Sequence, residues 1–411
     1  MNTNKMPGQI HFEDLYLEYG YSCMPDRLHY FSKEENDFRM EVRNWCKDNI
    51  EPVADRIDQE RNTELAVETL RKMKPYLNIL IPKEIGGLGK GVLYRVIFGE
   101  ELTAFNYAMA TIFGASSCLF AAPIIEYGRP EQKERYLSGI ADGSKIGAIA
   151  ITEPTGGSDA VGGMNLRAKR DGDHYILRGE KCFITNGSVA DYLVLYAVTN
   201  DQVRRQQGIS AFIFETDTPG FEVLKNYTYM GRRGMPNSHL RFDNCKVPVE
   251  NLLHRENEGV EVLMFGLDGE RTFTASQYLG LARSAFEVAY KYAHKREQFG
   301  KTIYSFEGIS FKLSEMFMDL ELNRIATAQI ARMLDEGHYC RATVAAIKAR
   351  IADAAVNITK EAVQVIGGLG YSEEYPVERF YRDAKIGQIS AGSAEIMRFL
   401  ISREMVRMWG K

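Results

Sequence analysis

The sequence predicts a mainly α-helical fold with a central β domain. Apolar residues recur at helical spacing before residue 145 and again after residue 256. Between these regions, short runs rich in β-branched and aromatic residues are separated by turn residues. The chain has 411 residues, of which 45% are hydrophobic and 26% charged. It is therefore long enough for two or three globular domains, each with its own core.

These patterns divide the chain into four parts. We expect an N-terminal extension, an N-terminal helical domain, a middle β domain and a C-terminal helical bundle, over residues 1–30, 31–145, 146–255 and 256–411.

The N-terminal helical domain opens on a capping box. Ser32 and Glu35 stand at the required spacing, and apolar positions then predict a helix that ends near Asn49. A second helical pattern follows over residues 65–73. Glycines at 87–91 lack the order of a nucleoside-triphosphate loop, so that kind of site is excluded.

No charged residue lies between Glu101 and Glu126, and this length is enough to cross a bilayer. Asn106, Gly114 and Pro123 make the stretch a poor isolated span. We predict a helix buried inside the domain and no stable membrane insertion.

The middle domain is predicted from β-rich runs at residues 146–151, 174–177, 192–196, 209–214 and 240–242. Asp171-Gly172 predicts a hairpin. In the last part, four long helical patterns cover residues 273–296, 306–336, 342–366 and 394–409. Antiparallel packing of four helices buries their apolar stripes, and the glycines at 367–370 end the third helix.

Composition excludes several classes of function. The formal net charge is −4, so there is no basic excess to neutralise nucleic acid. The six cysteines are scattered and show no metal-ligand spacing, which indicates a reducing compartment and no metal site. The first residues show no leader pattern, and we expect a cytoplasmic protein.

Glu270 is the most informative acid in the chain. The helical pattern runs from Phe273 onward, so Glu270 is expected at or just inside a helix start. Position alone favours a role in capping that helix. The alternative is a catalytic carboxylate.

Two loops of the β domain present hydroxyls, glycines and backbone donors, at residues 150–159 and 179–187. Thr152 and Thr185 are suited to bond the edge of a planar heterocycle, and Phe183 to pack on its face. Ordinary turns explain the same residues equally well.

Five segments occur in a recognisable order: 150–159 (AITEPTGGSD), 183–187 (FITNG), 230–234 (MGRRG), 296–300 (REQFG) and 364–371 (QVIGGLGY). Together they resemble the acyl-CoA dehydrogenase flavoprotein family over about residues 32–403. The resemblance implies FAD, a three-domain subunit, a homotetramer, and electron transfer to an electron-transfer flavoprotein.

The resemblance also implies roles for single residues. The flavin and its ribityl chain would contact Ile151, Thr152, Gly157, Ser158, Phe183 and Thr185. The FAD of a neighbouring subunit would be reached by Arg296, Phe299, Gln364 and Gly368. Ser393 and Glu395 would complete the cofactor site. Ser158 would also contact substrate.

The position of the base departs from most of the family. Most members carry a glutamate where this chain has Ala391, and Glu395 lies about one helical turn further on. The isovaleryl-CoA and long-chain branches instead place their glutamate before an arginine and two residues after an aspartate. Asp268-Gly269-Glu270-Arg271 matches that arrangement. The resemblance therefore implies that Glu270 is the base and that the Ala391 N–H binds the thioester carbonyl.

For the substrate, the resemblance places the pantetheine beside Asp268 and Arg271 and the acyl tail beside Ile112, Ala115 and Leu119. Ser390 and Ala391 are small, which opens space near the second and third carbons of the acyl group. A branched short chain and a longer straight chain both fit. The expected activity is α,β-dehydrogenation of an acyl-CoA. The alternatives are an enoyl-CoA reductase, a flavin oxidase or a silent scaffold that binds FAD and acyl-CoA.

Overall fold

A computed structural model describes residues 28–410 of the chain. Most of the predicted extension, residues 1–27, lies outside the described residues. Within them, helices surround a central sheet, which confirms the mainly helical fold class with a β domain.

The first helical region contains α1 (Lys33–Asn49), α2 (Glu51–Gln59), α3 (Thr63–Lys72), α4 (Lys74–Leu77), α5 (Val92–Phe105), α6 (Tyr107–Gly114), α7 (Ala121–Tyr127) and α8 (Pro130–Ala141). The predicted capping box is present at the start of α1. The Ser32 hydroxyl accepts from the Glu35 N–H at 3.2 Å, and the Glu35 carboxylate accepts from the Ser32 N–H at 2.7 Å. Helix α1 ends at Asn49, as predicted.

The uncharged stretch forms α6, one π-helical segment (Ala115–Phe120) and α7, in continuous succession. Tyr107–Tyr127 is long and apolar enough to cross a membrane by composition alone, but 78% of its most apolar window is buried inside the protein. This confirms the expectation of a core helix. Asn106, with φ −157°, separates it from α5 and caps it by accepting from the Met109 N–H at 3.0 Å.

The central sheet contains β1 (Gly147–Ala150), β2 (Arg167–Asp171), β3 (His174–Thr185), β4 (Tyr192–Val198), β5 (Ile209–Glu215), β6 (Phe221–Asn226), β7 (Asn237–Pro248) and β8 (Leu252–Leu253). Its order is β6-β7-β3-β2-β4-β5-β8, and β1 pairs with β4 in parallel. The predicted hairpin joins β2 to β3, with Gly172 at φ 61°. The sequence did not predict β2 and β6, because both strands are mostly exposed and carry charged residues in place of an apolar alternation.

The last region contains α9 (Gly259–Lys295), the short strands β9 (Glu297–Gln298) and β10 (Lys301–Thr302), α10 (Glu307–Asp335), α11 (Arg341–Ile366), α12 (Val377–Ala384) and α13 (Ala394–Trp409). The four long helices are those predicted, and Gly367, with φ 75°, ends α11 as expected. The predicted start of the first of them near Phe273 is wrong. Helix α9 begins at Gly259, and the turns around Gly266 and Gly269 are helical despite the weak helix propensity of glycine.

A buried group of charges joins the two helical regions. Glu101 on α5 accepts from Arg283 of α9 at 2.7 and 2.8 Å and from Arg43 of α1 at 3.0 Å. Glu100 accepts from Arg324 of α10 at 3.0 Å. Since removing one partner of a buried ion pair leaves an uncompensated charge, this group fixes α5 against α9.

Candidate active site

Glu270 lies inside α9, about three turns from its first residue. It therefore does not cap the helix, and the capping interpretation is wrong. One carboxylate oxygen, Oε1, accepts from the Thr274 hydroxyl at 3.0 Å. The other, Oε2, is buried and has no hydrogen-bond partner within residues 28–410. A buried carboxylate oxygen without a donor is available to accept a proton.

Burial raises the pKa of the Glu270 carboxyl above its ordinary value. The Thr274 hydrogen bond and the nearby cations Arg271, Lys348 and Arg95 act in the opposite direction. Desolvation is the largest of these effects, so the pKa moves toward the range that suits a general base at neutral pH.

Asp268 and Arg271 belong to a local ion-pair group. Arg271 Nη1 lies 3.3 Å from Asp268 Oδ1, and Arg341 Nε lies 3.1 Å from Asp268 Oδ2. Arg271 is 5% exposed. The pair thus anchors α9 to α11 beside Glu270, and the buried Nε of Arg271 has no partner among the described residues.

Lys348 of α11 holds the segment that carries Ala391. Its Nζ donates to the carbonyl oxygens of Gly387, Ser390 and Gly392 at 3.0, 2.7 and 2.5 Å. Burial lowers the pKa of Lys348 to about 8, and the Glu270 carboxylate opposes that shift. All three donors of the ammonium group are used, so its protonated form fits the segment best.

Ala391 has φ 57°, the left-handed conformation that a residue with a Cβ adopts at a cost. In the part of the chain that is described, its N–H donates to no protein acceptor. The segment also touches α9. A Cβ built on Gly392 lies 3.9 Å from Arg271 Nη2, and one built on Gly387 lies 2.8 Å from the Tyr278 ring. The structure therefore brings the Glu270 helix and the Ala391 segment together.

The two β-domain loops, residues 150–159 and 179–187, contact each other. Lys181 Nζ donates to Ile151 O and to Glu153 Oε1, both at 2.9 Å. The Cys182 N–H donates to Thr152 O at 2.8 Å. Lys181 and Glu153 form a buried ion pair, which fixes the relative position of the two loops.

These loops expose a surface that fits a flavin. Phe183 is 54% exposed with φ 57°, and its ring lies 4.7 Å from that of Tyr227. The Thr185 hydroxyl accepts from Asn237 at 3.2 Å and keeps a free proton to donate. Gly157 and Ser158 are exposed, and a Cβ built on Gly157 meets nothing within 4 Å. A planar aromatic group therefore finds a ring face, hydroxyls and accessible backbone there.

The residues expected to reach a second subunit lie at the surface of this one. Phe299 is 93% exposed, Gln364 and Gly368 are exposed, and Arg296 is half-buried.

Ser393 and Glu395 line a cavity of about 430 Å³ between α11 and α13. The Ser393 hydroxyl caps α13 by accepting from the Ile396 N–H at 3.2 Å. Glu395 is exposed in the first turn of α13 and is not placed to replace Glu270.

Of the three residues expected along the acyl tail, Ile112 and Ala115 are buried, and Leu119 keeps accessible surface. The Ile112 carbonyl oxygen accepts from Asn186 of the β domain at 3.0 Å. Ser390 lies beside Ala391 and is half-buried.

Sequence models of three domains from one family match successive parts of the chain. They are "Acyl-CoA dehydrogenase, N-terminal domain" over residues 32–144, the "middle domain" over 148–245 and the "C-terminal domain" over 257–406. The chain belongs to the acyl-CoA dehydrogenase family. It is an FAD-dependent oxidoreductase that dehydrogenates an acyl-CoA thioester.

Individual relatives support the same family assignment. The short-chain-specific acyl-CoA dehydrogenase of Clostridium acetobutylicum is 38% identical over 378 residues, covering 92% of this chain and 99% of the relative. The mitochondrial isovaleryl-CoA dehydrogenase of Pongo abelii is 37% identical over 388 residues, covering 93% and 92%. The solved butyryl-CoA dehydrogenase of Megasphaera elsdenii has a TM-score of 0.88 at 35% identity and covers 93% of this chain and 100% of that one.

Sequence reasoning missed several residues of the enzyme's site. In the sequence, Lys348 is a single lysine on a long helix, and the carbonyl groups that it binds lie some 40 residues later. Arg95 is buried beside Glu270, and its only signal is a lone cation within the apolar residues 92–98.

Proposed function

We propose that Glu270 abstracts the α-proton of a bound acyl-CoA, which gives the trans-2-enoyl-CoA. The observation that carries this proposal is the buried Oε2 atom of Glu270, which lacks a donor, in a carboxyl group whose pKa is raised by burial. The competing acid, Glu395, is exposed and its pKa is lowered from the ordinary value by hydrogen bonds at the start of α13. It lacks the environment of a base.

The Ala391 N–H is the proposed donor to the thioester carbonyl. Removal of the α-proton builds negative charge on that oxygen, and a fixed backbone donor stabilises the charge without reorganisation. Lys348 acts as a positioning residue, because its three hydrogen bonds fix the carbonyls on either side of Ala391.

Bound FAD supplies the acceptor for the β-hydride. In the proposal, the flavin and its ribityl chain contact Ile151, Thr152, Gly157, Ser158, Phe183 and Thr185, and Ser393 and Glu395 contact the rest of the cofactor. Ser158, Ser390, Asp268 and Arg271 contact the substrate. Ile112, Ala115 and Leu119 border its acyl tail.

The assembly proposed is a homotetramer. Arg296, Phe299, Gln364 and Gly368 would cover the FAD of a neighbouring subunit, and their exposure in the single chain supports this. Helix α10 adds an exposed apolar stripe at Phe311, Met318, Leu322 and Ile325. Such a stripe is costly in water and is typical of a subunit interface.

We propose the same family's electron-transfer flavoprotein as the electron acceptor and the cytoplasm as the compartment. The five cysteines within the described residues are unpaired, which supports a reducing compartment. The domain boundaries at residues 30, 145 and 255 are also part of the proposal.

Anaerobic mixing of the FAD-loaded enzyme with acyl-CoA thioesters tests the function. Butyryl-CoA, isovaleryl-CoA and octanoyl-CoA are mixed in turn, and loss of the oxidised flavin absorbance is followed with the enoyl-CoA product. We expect Glu270→Gln to abolish flavin reduction while FAD content is retained. Glu261→Gln is the matched control, because Glu261 is an exposed acid on the same helix. Full activity of Glu270→Gln would refute the assignment.

A further inference from the structure

Tyr278 of α9 carries a buried hydroxyl that the mechanism above does not use. The side chain is 0% exposed and lies about two helical turns beyond Glu270. Its Oη atom has no hydrogen-bond partner within residues 28–410. A buried hydroxyl without a partner loses its bonds to water on folding and gains none in return, so its presence calls for an explanation.

The Tyr278 ring lies against the segment that carries Ala391. A Cβ built on Gly387 would lie 2.8 Å from the nearest ring carbon atoms. A larger residue at this position would therefore push the segment away from the ring. The Gly387 carbonyl oxygen also accepts from Lys348 Nζ at 3.0 Å. The segment is thus held through its carbonyl groups by a lysine and bounded by a tyrosine ring.

Two hydroxyl groups lie next to the Tyr278 Oη atom. Those of Tyr107 and Ser390 lower the Tyr278 pKa, but in the described part of the chain neither completes a hydrogen bond to it. Burial is the largest influence and raises the pKa, so the phenol stays protonated and can donate at neutral pH. Ser390 Oγ donates to the Ile386 carbonyl oxygen at 3.2 Å, and its own lone pairs can accept from the phenol.

Tyr107 of α6 fixes one side of this group. The Tyr107 and Tyr278 rings meet edge to face, with centroids 5.9 Å apart. The Arg232 guanidinium lies 5.6 Å from the centre of the Tyr107 ring, and the Arg232 N–H donates to the buried Asp383 carboxylate at 2.5 Å. Tyr107 is 3% exposed, whereas Ser390 is half-buried. Of the two hydroxyls beside Tyr278, that of Ser390 therefore has more room to move.

We propose that the Tyr278 hydroxyl donates to Ser390 Oγ when a thioester carbonyl binds the Ala391 N–H, and so positions that N–H for catalysis. Active-site hydrogen bonds often become short and well aligned only in the substrate complex. A backbone donor stabilises developing charge best when its direction is already fixed. Lys348 holds the turn by its carbonyl groups, and Tyr278 holds it by a side chain. The inference rests on the proposed function and adds a positioning residue to the same site.

The first test is Tyr278→Phe, which removes one oxygen atom and keeps the ring against Gly387. FAD-loaded enzyme is mixed anaerobically with butyryl-CoA, isovaleryl-CoA or octanoyl-CoA at varied concentration. We expect kcat for flavin reduction to fall about 10-fold and KM to change less than about 3-fold, because the Ala391 amide contributes most as charge develops on the carbonyl oxygen. An unchanged kcat would overturn the inference.

Thermal unfolding separates this role from a role in stability. The Tm of Tyr278→Phe should not fall, because the oxygen that is removed has no partner in the ligand-free chain within residues 28–410. A lower Tm together with an unchanged kcat would assign the hydroxyl to the stability of the fold and refute the proposal.

A double-mutant cycle shows whether Tyr278 acts through Ser390. Ser390→Ala is expected to lower kcat by about the same 10-fold as Tyr278→Phe, and the double variant should lose no more than either single variant. Losses that multiply to about 100-fold would show that the two residues act independently, which contradicts the inference.

Tyr196→Phe is the matched control. Tyr196 of β4 is 0% exposed, and its Oη also lacks a partner among the described residues. It belongs to the apolar core that joins the sheet to α8. Removal of its oxygen should leave kcat unchanged. A loss as large as that of Tyr278→Phe would show that any buried hydroxyl has this effect, and the inference would fail.

Failure of the inference is distinguishable from failure of the proposed function. If none of the three thioesters reduces the flavin of the wild-type enzyme, the proposed function fails and the inference fails with it. If the wild-type enzyme is reduced and Tyr278→Phe is reduced equally fast, only the inference fails.

Discussion

The two sides of the active site are built differently. On the side that carries Glu270, Lys348 and Ala391, Lys348 is buried and the other two residues are partly buried, and the hydrogen bonds that position them are made within one chain. The side expected to hold FAD presents Phe183 and Phe299 to solvent, at 54% and 93% exposure. Under the proposed function, this difference means that the proton chemistry is set by folding of the subunit, whereas FAD binding depends on assembly of the subunits.

The first prediction concerns the side that carries Glu270, Lys348 and Ala391. Lys348→Met removes the hydrogen bonds that fix the Ala391 segment, so we expect kcat for flavin reduction to fall about 100-fold, with a smaller change in KM. FAD content should be retained. Lys348→Arg keeps the charge and should restore part of the rate. If kcat is unchanged in Lys348→Met, the segment does not depend on this residue.

The second prediction concerns the side expected to hold FAD. Phe299→Ala is expected to weaken FAD retention by about 10-fold in the assembled enzyme, since an aromatic contact on the cofactor is lost. The measurement is FAD content after gel filtration, together with mass photometry. Val203→Ala, which shortens an exposed apolar residue of the β domain, serves as control. Retention of FAD by isolated monomers would contradict the division between the two sides.

The third prediction concerns pH. The folded pKa of Glu270 is raised, so activity falls as pH drops through that value and the base becomes protonated. The pKa of Lys348 is lowered to about 8, so activity also falls as pH rises through about 8. On each limb kcat changes about 10-fold per pH unit well beyond the pKa. The alkaline limb should disappear in Lys348→Met, and its persistence there would exclude Lys348 as the group that titrates.

The smallest effect is expected from Thr274→Val. The Thr274 hydroxyl donates to Glu270 Oε1 at 3.0 Å and holds the carboxyl pKa down. Without this hydrogen bond, the acid limb of the kcat profile should move upward by about 0.7 pH unit, since one such bond is worth about 1 kcal/mol. An unshifted limb would show that Thr274 does not influence the base.

Much of this molecule was predictable from its sequence. Local signals sufficed for the capping box at Ser32, the end of α11 at Gly367 and the four long helices. The arginine and aspartate neighbours of Glu270 single it out as the predicted base, although the helix around it begins earlier than predicted. The stretch from Gly259 was missed because its three glycines, Gly259, Gly266 and Gly269, have weak helix propensity, which packing overrides.

Residues whose partners are distant in sequence could not be predicted. Lys348 binds carbonyls of a segment some 40 residues later, and Arg95 donates to Gly269 across 174 positions. No local pattern encodes those pairings. Strand β6 was missed because its exposed, charged residues belong to a sheet edge.

Because the proposed carbonyl donor at position 391 is a main-chain group, it does not depend on which side chain that residue carries. Substitutions there leave the amide in place so long as the left-handed turn survives, which makes Ala391 tolerant of replacement by asparagine or glycine. The neighbouring Gly392 has less latitude, since its φ of 85° strains any residue that carries a Cβ. Sequence drift within this turn is therefore confined to one of two adjacent positions.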